Sequence, residues 1–315
     1  LNETLGTSYA FVFPGQGSQY VGMAKELAEQ SDTARETIEH ADARLGFGLS
    51  ELMFEGPEEE LNDTFNSQPA IFTASVAALR ALRAKAEDEG YVLAPMKVAG
   101  HSLGEFTALV AAEVIDFETG LDLVRARGRA MMEAGVAYPG AMAAVLGMDD
   151  ERLAQLVDEA SQGDVITIAN LNCPGQTVVS GAVAPLERFI ELAKEAGARR
   201  VARLPISIAS HSALMEPAAE TLNELFDDIV LNQPRMPIVA NSTGQPLNSA
   251  EEIREELRYH VVRGVDWTRS VRTMIDTGVT SFVEIGPGNV LAGLNKRIDK
   301  SVATLSLKDL DLPTA

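Results

Sequence analysis

The sequence has little cysteine, little histidine, few basic residues relative to acidic ones and no long apolar run, and each shortage excludes something. Among 315 residues there is one cysteine, Cys173. No internal disulfide can form, a zinc site built on thiolates is ruled out, and a reducing cytoplasm is the expected setting. No metal is expected. The 26 Lys and Arg stand against 46 Asp and Glu, a net charge of −20. That charge repels nucleic acid and anionic membrane at long range, so neither is an expected partner. No window approaches the roughly 18 apolar residues a membrane helix needs. Leu1 to Ser8 has neither a basic start nor an apolar run, so no export signal or anchor is expected there. A compact monomer is the expectation.

What is present is an alternation of strand and helix patterns. Tyr9-Ala-Phe-Val-Phe13, closed by Pro14-Gly15, reads as a buried strand entering a turn. Gln68 to Glu89 reads as a long helix with Pro69 in its first turn. A strand at Met96–Gly100 runs straight into the helix-forming segment Ser102–Ala112, and Phe117 to Ala134 continues helically. Between Ala141 and Leu204 the order is strand, helix, strand, strand, helix, strand, the split βαβ pattern of ferredoxin-like units. Larger αβ units then resume. The expected fold is therefore α/β, with a large subdomain at residues 1–138 and 205–315 and a small ferredoxin-like subdomain at 139–204.

Gly100-His-Ser-Leu-Gly104 places a G-x-S-x-G between that strand and helix, the context of a nucleophile elbow. Ser102 is the candidate nucleophile, and the amides after it, near the helix N-terminus, suit a developing negative charge. A serine hydroxyl needs a base, and only four histidines are available. His40 lies in an acidic helical stretch and His260 at the end of a charged helix, so both are read as surface residues. His101 adjoins Ser102 and points elsewhere, as a packing or supporting group. His211, between an extended segment and a helix bent by Pro217, is the base by elimination. These residues leave hydrolysis and acyl transfer equally open.

Five segments narrow the choice: Phe13-Pro-Gly-Gln-Gly-Ser-Gln19, Gly100-His-Ser-Leu-Gly-Glu105, Arg125-Ala-Arg-Gly128, Ser207-Ile-Ala-Ser-His211 and Glu284-Ile-Gly-Pro-Gly288. In this order, from about Ser8 to Ser306, the chain resembles malonyl-CoA:acyl carrier protein transacylases of the free-standing bacterial fatty-acid synthesis type. The resemblance implies a hydrolase-like parallel-sheet core interrupted by the ferredoxin-like subdomain. It implies malonyl transfer from coenzyme A to acyl carrier protein through a malonyl-Ser102 intermediate, with a coenzyme A thioester as substrate and no cofactor. The backbone N–H groups of Gln16 and Leu103 would hold the oxyanion, and Arg127 would pair with the free carboxylate of malonyl. A backbone carbonyl from Gly264-Val-Asp-Trp-Thr268 would orient His211, with Asp266 standing where Gln is expected, so that either its carbonyl suffices or its carboxylate adds a charge. Asn170 and Asn172 would line the cleft in support, and Cys173 is read as a small buried residue. Acyl carrier proteins are typically acidic, so a local basic patch is needed on this acidic chain. Arg199, Arg200 and Arg203, or Lys296, Arg297 and Lys300, are the candidates.

Overall fold

The computed structural model describes residues 1–315, apart from the side chains of Asn2 and Glu3. Its strands are β1 (Tyr9–Phe13), β2 (Lys97–Gly100), β3 (Gly140–Leu146), β4 (Ile166–Cys173), β5 (Gln176–Ala182), β6 (Arg200–Arg203), β7 (Ile238–Val239), β8 (Pro246–Leu247), β9 (Val265–Asp266), β10 (Ser281–Glu284) and β11 (Ala303–Leu305). Beyond the N-terminal turn Asn2–Leu5, the helices are α1 (Lys25–Gln30), α2 (Asp32–Leu45), α3 (Leu49–Glu55), α4 (Glu58–Asn62), α5 (Thr64–Asp88), α6 (Gly104–Ala111), α7 (Phe117–Ala137), α8 (Asp150–Ser161), α9 (Val183–Glu195), α10 (Glu216–Asp228), α11 (Ala250–Tyr259), α12 (Trp267–Asp276) and α13 (Val290–Ile298).

The first sheet has the order β11-β10-β1-β2-β7-β8, parallel except for β8. β1 and β2 are buried at every position because helices cover both faces of a parallel sheet, which is why β1 reads as a continuous apolar run and β2 is apolar after Lys97. The second sheet, β6-β3-β5-β4-β9, is antiparallel through β4. The order β3-α8-β4-β5-α9-β6 accounts for all of it but β9. That last strand pairs in parallel with β4 and ties the second sheet to chain that follows α11. Two residues of Val-Asp carry no strand signal alone, so the sequence gives no hint of it.

Two helices differ in extent from expectation. α5 begins at Thr64 rather than Gln68, because the Asp63 carboxylate caps it by accepting from the Phe65 N–H. Pro69 thus lies inside the helix, where it cannot bond the carbonyl of Phe65. That carbonyl instead accepts from Arg125 Nη1 of α7 at 2.7 Å, so a long-range side chain replaces the missing bond. α7 runs on to Ala137, capped at its start by Asp116. No helix among the described residues is long and apolar enough to cross a membrane.

Candidate active site

β2 ends at Gly100 and α6 begins at Gly104, so the intervening residues must reverse direction in one tight turn. A Cβ on Gly100 would lie 1.9 Å from the Gly104 carbonyl, and one on Gly104 would lie 2.1 Å from the Phe13 carbonyl oxygen. Both glycines are therefore demanded by close backbone approach. The strain falls on Ser102 itself, whose φ is 49°. A non-glycine residue held there costs about 1–3 kcal/mol, which the surroundings must offset. Asn241, just beyond β7, does part of this: its Oδ1 accepts from the Ser102 N–H at 2.7 Å and its Nδ2 donates to the Gly100 carbonyl at 2.7 Å. With the Ser102 N–H so engaged, the amides of Leu103 and Gln16 remain without an acceptor among the described residues. The Gln16 loop is fixed by its own side chain, which donates to Thr64 Oγ1 at 3.1 Å.

His211 approaches from the segment before α10, also with positive φ (60°). Its Nε2 lies 2.9 Å from Ser102 Oγ, and its Nδ1 lies 2.8 Å from the carbonyl of Arg263. A carbonyl only accepts, so Nδ1 carries the proton and Nε2 offers its lone pair to the serine hydroxyl. Burial, then the nearby charge of Arg127, holds His211 well below the ordinary histidine range. The neutral, proton-accepting form is resident at neutral pH.

Arg127, from α7, is 1% exposed. Its Nη1 donates to Gln68 Oε1 at 2.8 Å and its Nη2 to Ser102 Oγ at 3.1 Å, while Nε has no acceptor among the described residues. Nε and Nη2 share one edge of the planar fork. That edge faces the nucleophile with one donor free and the other on the hydroxyl, the arrangement a carboxylate engages bidentately. Burial lowers the guanidinium to about 10, with Glu105 opposing the shift, so it stays charged at neutral pH. A cleft of about 270 Å³ reaches this site at Gln16, between Thr64, Met132, Gly135 and the Pro205–Ile208 segment.

Other expectations fare differently. His101 Nε2 meets Asn172 Oδ1 at 2.8 Å, and the ring packs near Trp267, away from Ser102. Asn170 sits on β4 opposite Val265 and makes no side-chain hydrogen bond to the site. Asp266 is corrected: its carboxylate caps α12 through the Arg269 N–H at 2.9 Å, and the Arg263 carbonyl, one residue before the expected segment, orients His211 instead. His40 is exposed beside Glu118, as read. His260 is not a surface residue: it is 4% exposed, with Nε2 3.1 Å from the Ser102 carbonyl oxygen. Helix ends rich in charge usually face solvent, and only the tertiary fold turns this one inward. Asn241, Gln68 and Arg263 carry no signal in the sequence, since each acts through a contact between distant segments.

The fold and site define an acyltransferase: the chain belongs to the acyl transferase domain family, whose profile matches residues 10–308. Within it, the chain falls among the malonyl CoA-acyl carrier protein transacylases. It is 44% identical over 301 residues to the protein of that name from Bacillus subtilis (strain 168), covering 95% of this chain and 93% of that one. An acyl carrier protein S-malonyltransferase from Vibrio cholerae O1 superposes with a TM-score of 0.90 at 41% identity, over 96% of this chain and 99% of that one. A type II PKS acyl-carrier protein in complex with its malonyl-transacylase matches with a TM-score of 0.89 at 41% identity, over 95% of both chains.

Proposed function

We propose that this chain transfers malonyl from malonyl-CoA to the phosphopantetheine thiol of acyl carrier protein, supplying extender units for fatty-acid synthesis. The observation that carries this is the placement of the Arg127 fork on the same hydroxyl that His211 Nε2 addresses. Ser102 Oγ attacks the thioester carbon as its proton passes to His211 Nε2. The oxyanion gathers the free N–H groups of Gln16 and Leu103, each such donor typically worth about 3 kcal/mol. Collapse breaks the C–S bond, and His211 returns the proton to the departing coenzyme A thiol. The carrier's thiol then gives its proton to His211 and attacks malonyl-Ser102; the ester C–O bond breaks, His211 returns the proton to Ser102 Oγ, and the malonyl thioester of the carrier leaves. The thioester is the substrate, and no separate cofactor takes part.

Residues 1–138 and 205–315 act in this reading as the hydrolase-like core, and 139–204 as the ferredoxin-like subdomain. The antiparallel pairing of β3 with β5 and β6 supports that division. The alternative, a serine hydrolase on the same elbow, leaves the buried Arg127 without a purpose. Malonyl-CoA consumption measured with and without holo carrier protein separates the two. Transfer predicts turnover that requires the acceptor; equal release of free malonate without it supports hydrolysis.

Register also joins the two basic clusters. Arg200 pairs across Leu146, which pairs with Gln176, and the Gln176 side-chain oxygen accepts from Arg297 at 2.7 Å. Arg199, Arg200, Lys296 and Arg297 are exposed at this end of the second sheet. This is the proposed docking face for an acidic carrier. Reversing Lys296 and Arg297 to Glu should raise KM for carrier protein about tenfold at low salt and leave KM for malonyl-CoA unchanged. Equal changes in both constants would remove the cluster from docking.

A further inference from the structure

Behind the elbow lies a buried polar group that the proposed chemistry does not use. The Ser102 carbonyl accepts twice, from the Glu105 N–H at 3.0 Å and from His260 Nε2 at 3.1 Å. Glu105, 2% exposed, turns its carboxylate back to the same place. Its Oε1 accepts from the Asn241 N–H at 3.2 Å, and its Oε2 lies 3.0 Å from His260 Nε2. That second contact lies off the line of a hydrogen bond, since Oε2 has no bonded donor. Its effect is electrostatic: a carboxylate oxygen beside Nε2 favours a proton there and disfavours a lone pair. His260 Nδ1 has no partner among the described residues, so nothing draws the proton to the other side.

We infer that His260 is a positioning residue: its Nε2–H, kept in that tautomer by the Glu105 carboxylate, holds the Ser102 carbonyl and so fixes the strained backbone that aims Oγ at His211. The inference rests on the proposed role of Ser102. Asn241 grips the amide before Ser102 Cα and His260 the carbonyl after it, so the peptide units on both sides are anchored by side chains from beyond β7 and α11. Neither side chain touches the thioester, so the effect belongs to the rate of acylation rather than to binding.

The charged and titratable groups facing Glu105 are Arg127 from α7 and His260 and Glu256 from the α11 end, with the His211 ring 6.3 Å from that of His260. Burial lifts Glu105 to about 7, with Asn241 and Arg127 opposing. Burial and Arg127 lower His260 to about 3, so it is neutral and the contact is not an ion pair. Burial and Glu105 raise Glu256, whose oxygens bind the Ser242 N–H and hydroxyl. Below about 7 the neutral carboxyl loses the attraction that keeps the proton on Nε2, and the hold on the Ser102 carbonyl weakens. Acylation should therefore fall as pH drops through about 7, although His211 itself stays deprotonated well below that.

Single-turnover acylation by malonyl-CoA tests this. His260→Leu should lower the acylation rate about 30-fold with KM changed less than about threefold, and His260→Gln, which can present an N–H near the same point, should recover to within about fivefold of wild type. Glu105→Gln cannot accept at both positions, so its rate should be about tenfold lower and flat from about pH 6 to 8. Thermal melts confirm that each variant is folded; if the leucine variant is not, the two glutamine variants decide. A wild-type rate in His260→Leu, equal losses in folded His260→Leu and His260→Gln, or a retained step near pH 7 in Glu105→Gln would overturn the inference. Wild-type protein that does not acylate at all would instead overturn the malonyl-serine reading.

Discussion

Ser102→Ala should lower malonyl transfer on the order of 10⁴ to 10⁶-fold, and His211→Ala by a similar factor. The two side chains form one unit at 2.9 Å, since the hydroxyl is unreactive until Nε2 takes its proton. The double variant should be scarcely worse than either single one, because the second removal finds nothing left to disable. The fold should survive: Ser102 Oγ contributes only its bonds to His211 and Arg127, and the backbone anchors from Asn241 and His260 do not involve it. Steady-state turnover with holo carrier protein measures the loss. An alanine variant retaining more than a few per cent of wild-type activity would mean that another group carries the acyl chain.

Arg127→Ala should reduce malonyl transfer on the order of 10³-fold while acetyl transfer persists or rises. With arginine present, an acetyl group leaves a desolvated guanidinium edge unpaired; removing the fork removes both the attraction for malonyl and the penalty against acetyl. Arg127→Lys should not restore selectivity, because an ammonium is a point charge and cannot bond a carboxylate along one edge. The substitution should also lower the melting temperature, since it strips Gln68 Oε1 of its donor and leaves Glu105 without the charge that opposes its protonation. Competition between malonyl-CoA and acetyl-CoA is the readout. An unchanged ratio would take Arg127 out of substrate recognition.

Much of the site could be read before any coordinates because its chemistry is concentrated in short segments. The elbow is local: five residues between a strand and a helix specify the turn, and the clash distances at Gly100 and Gly104 supply its physical reason. His211 was within reach only because histidine is scarce, so elimination replaced geometry. The partner of its Nδ1 was not within reach in the same way. Every residue has a carbonyl, and which one meets the ring depends on how the segment after α11 docks; it is that of Arg263, while Asp266 caps α12. His260 shows the same limit from the other side. Its neighbours Glu255, Glu256 and Arg258 look like a solvated face, yet Glu256 binds Ser242 and His260 turns inward to Ser102. Element boundaries were displaced for a similar reason: the start of α5 rests on the Asp63 cap, and Arg125 relieves the helix of the cost of Pro69.

The most direct test of the central claim is the intact mass of the protein after brief mixing with malonyl-CoA, followed by peptide mapping. The account predicts one malonyl group, located on Ser102, which persists without acceptor and is lost when holo carrier protein is added. An unmodified protein, or an adduct that also forms in Ser102→Ala, would contradict it.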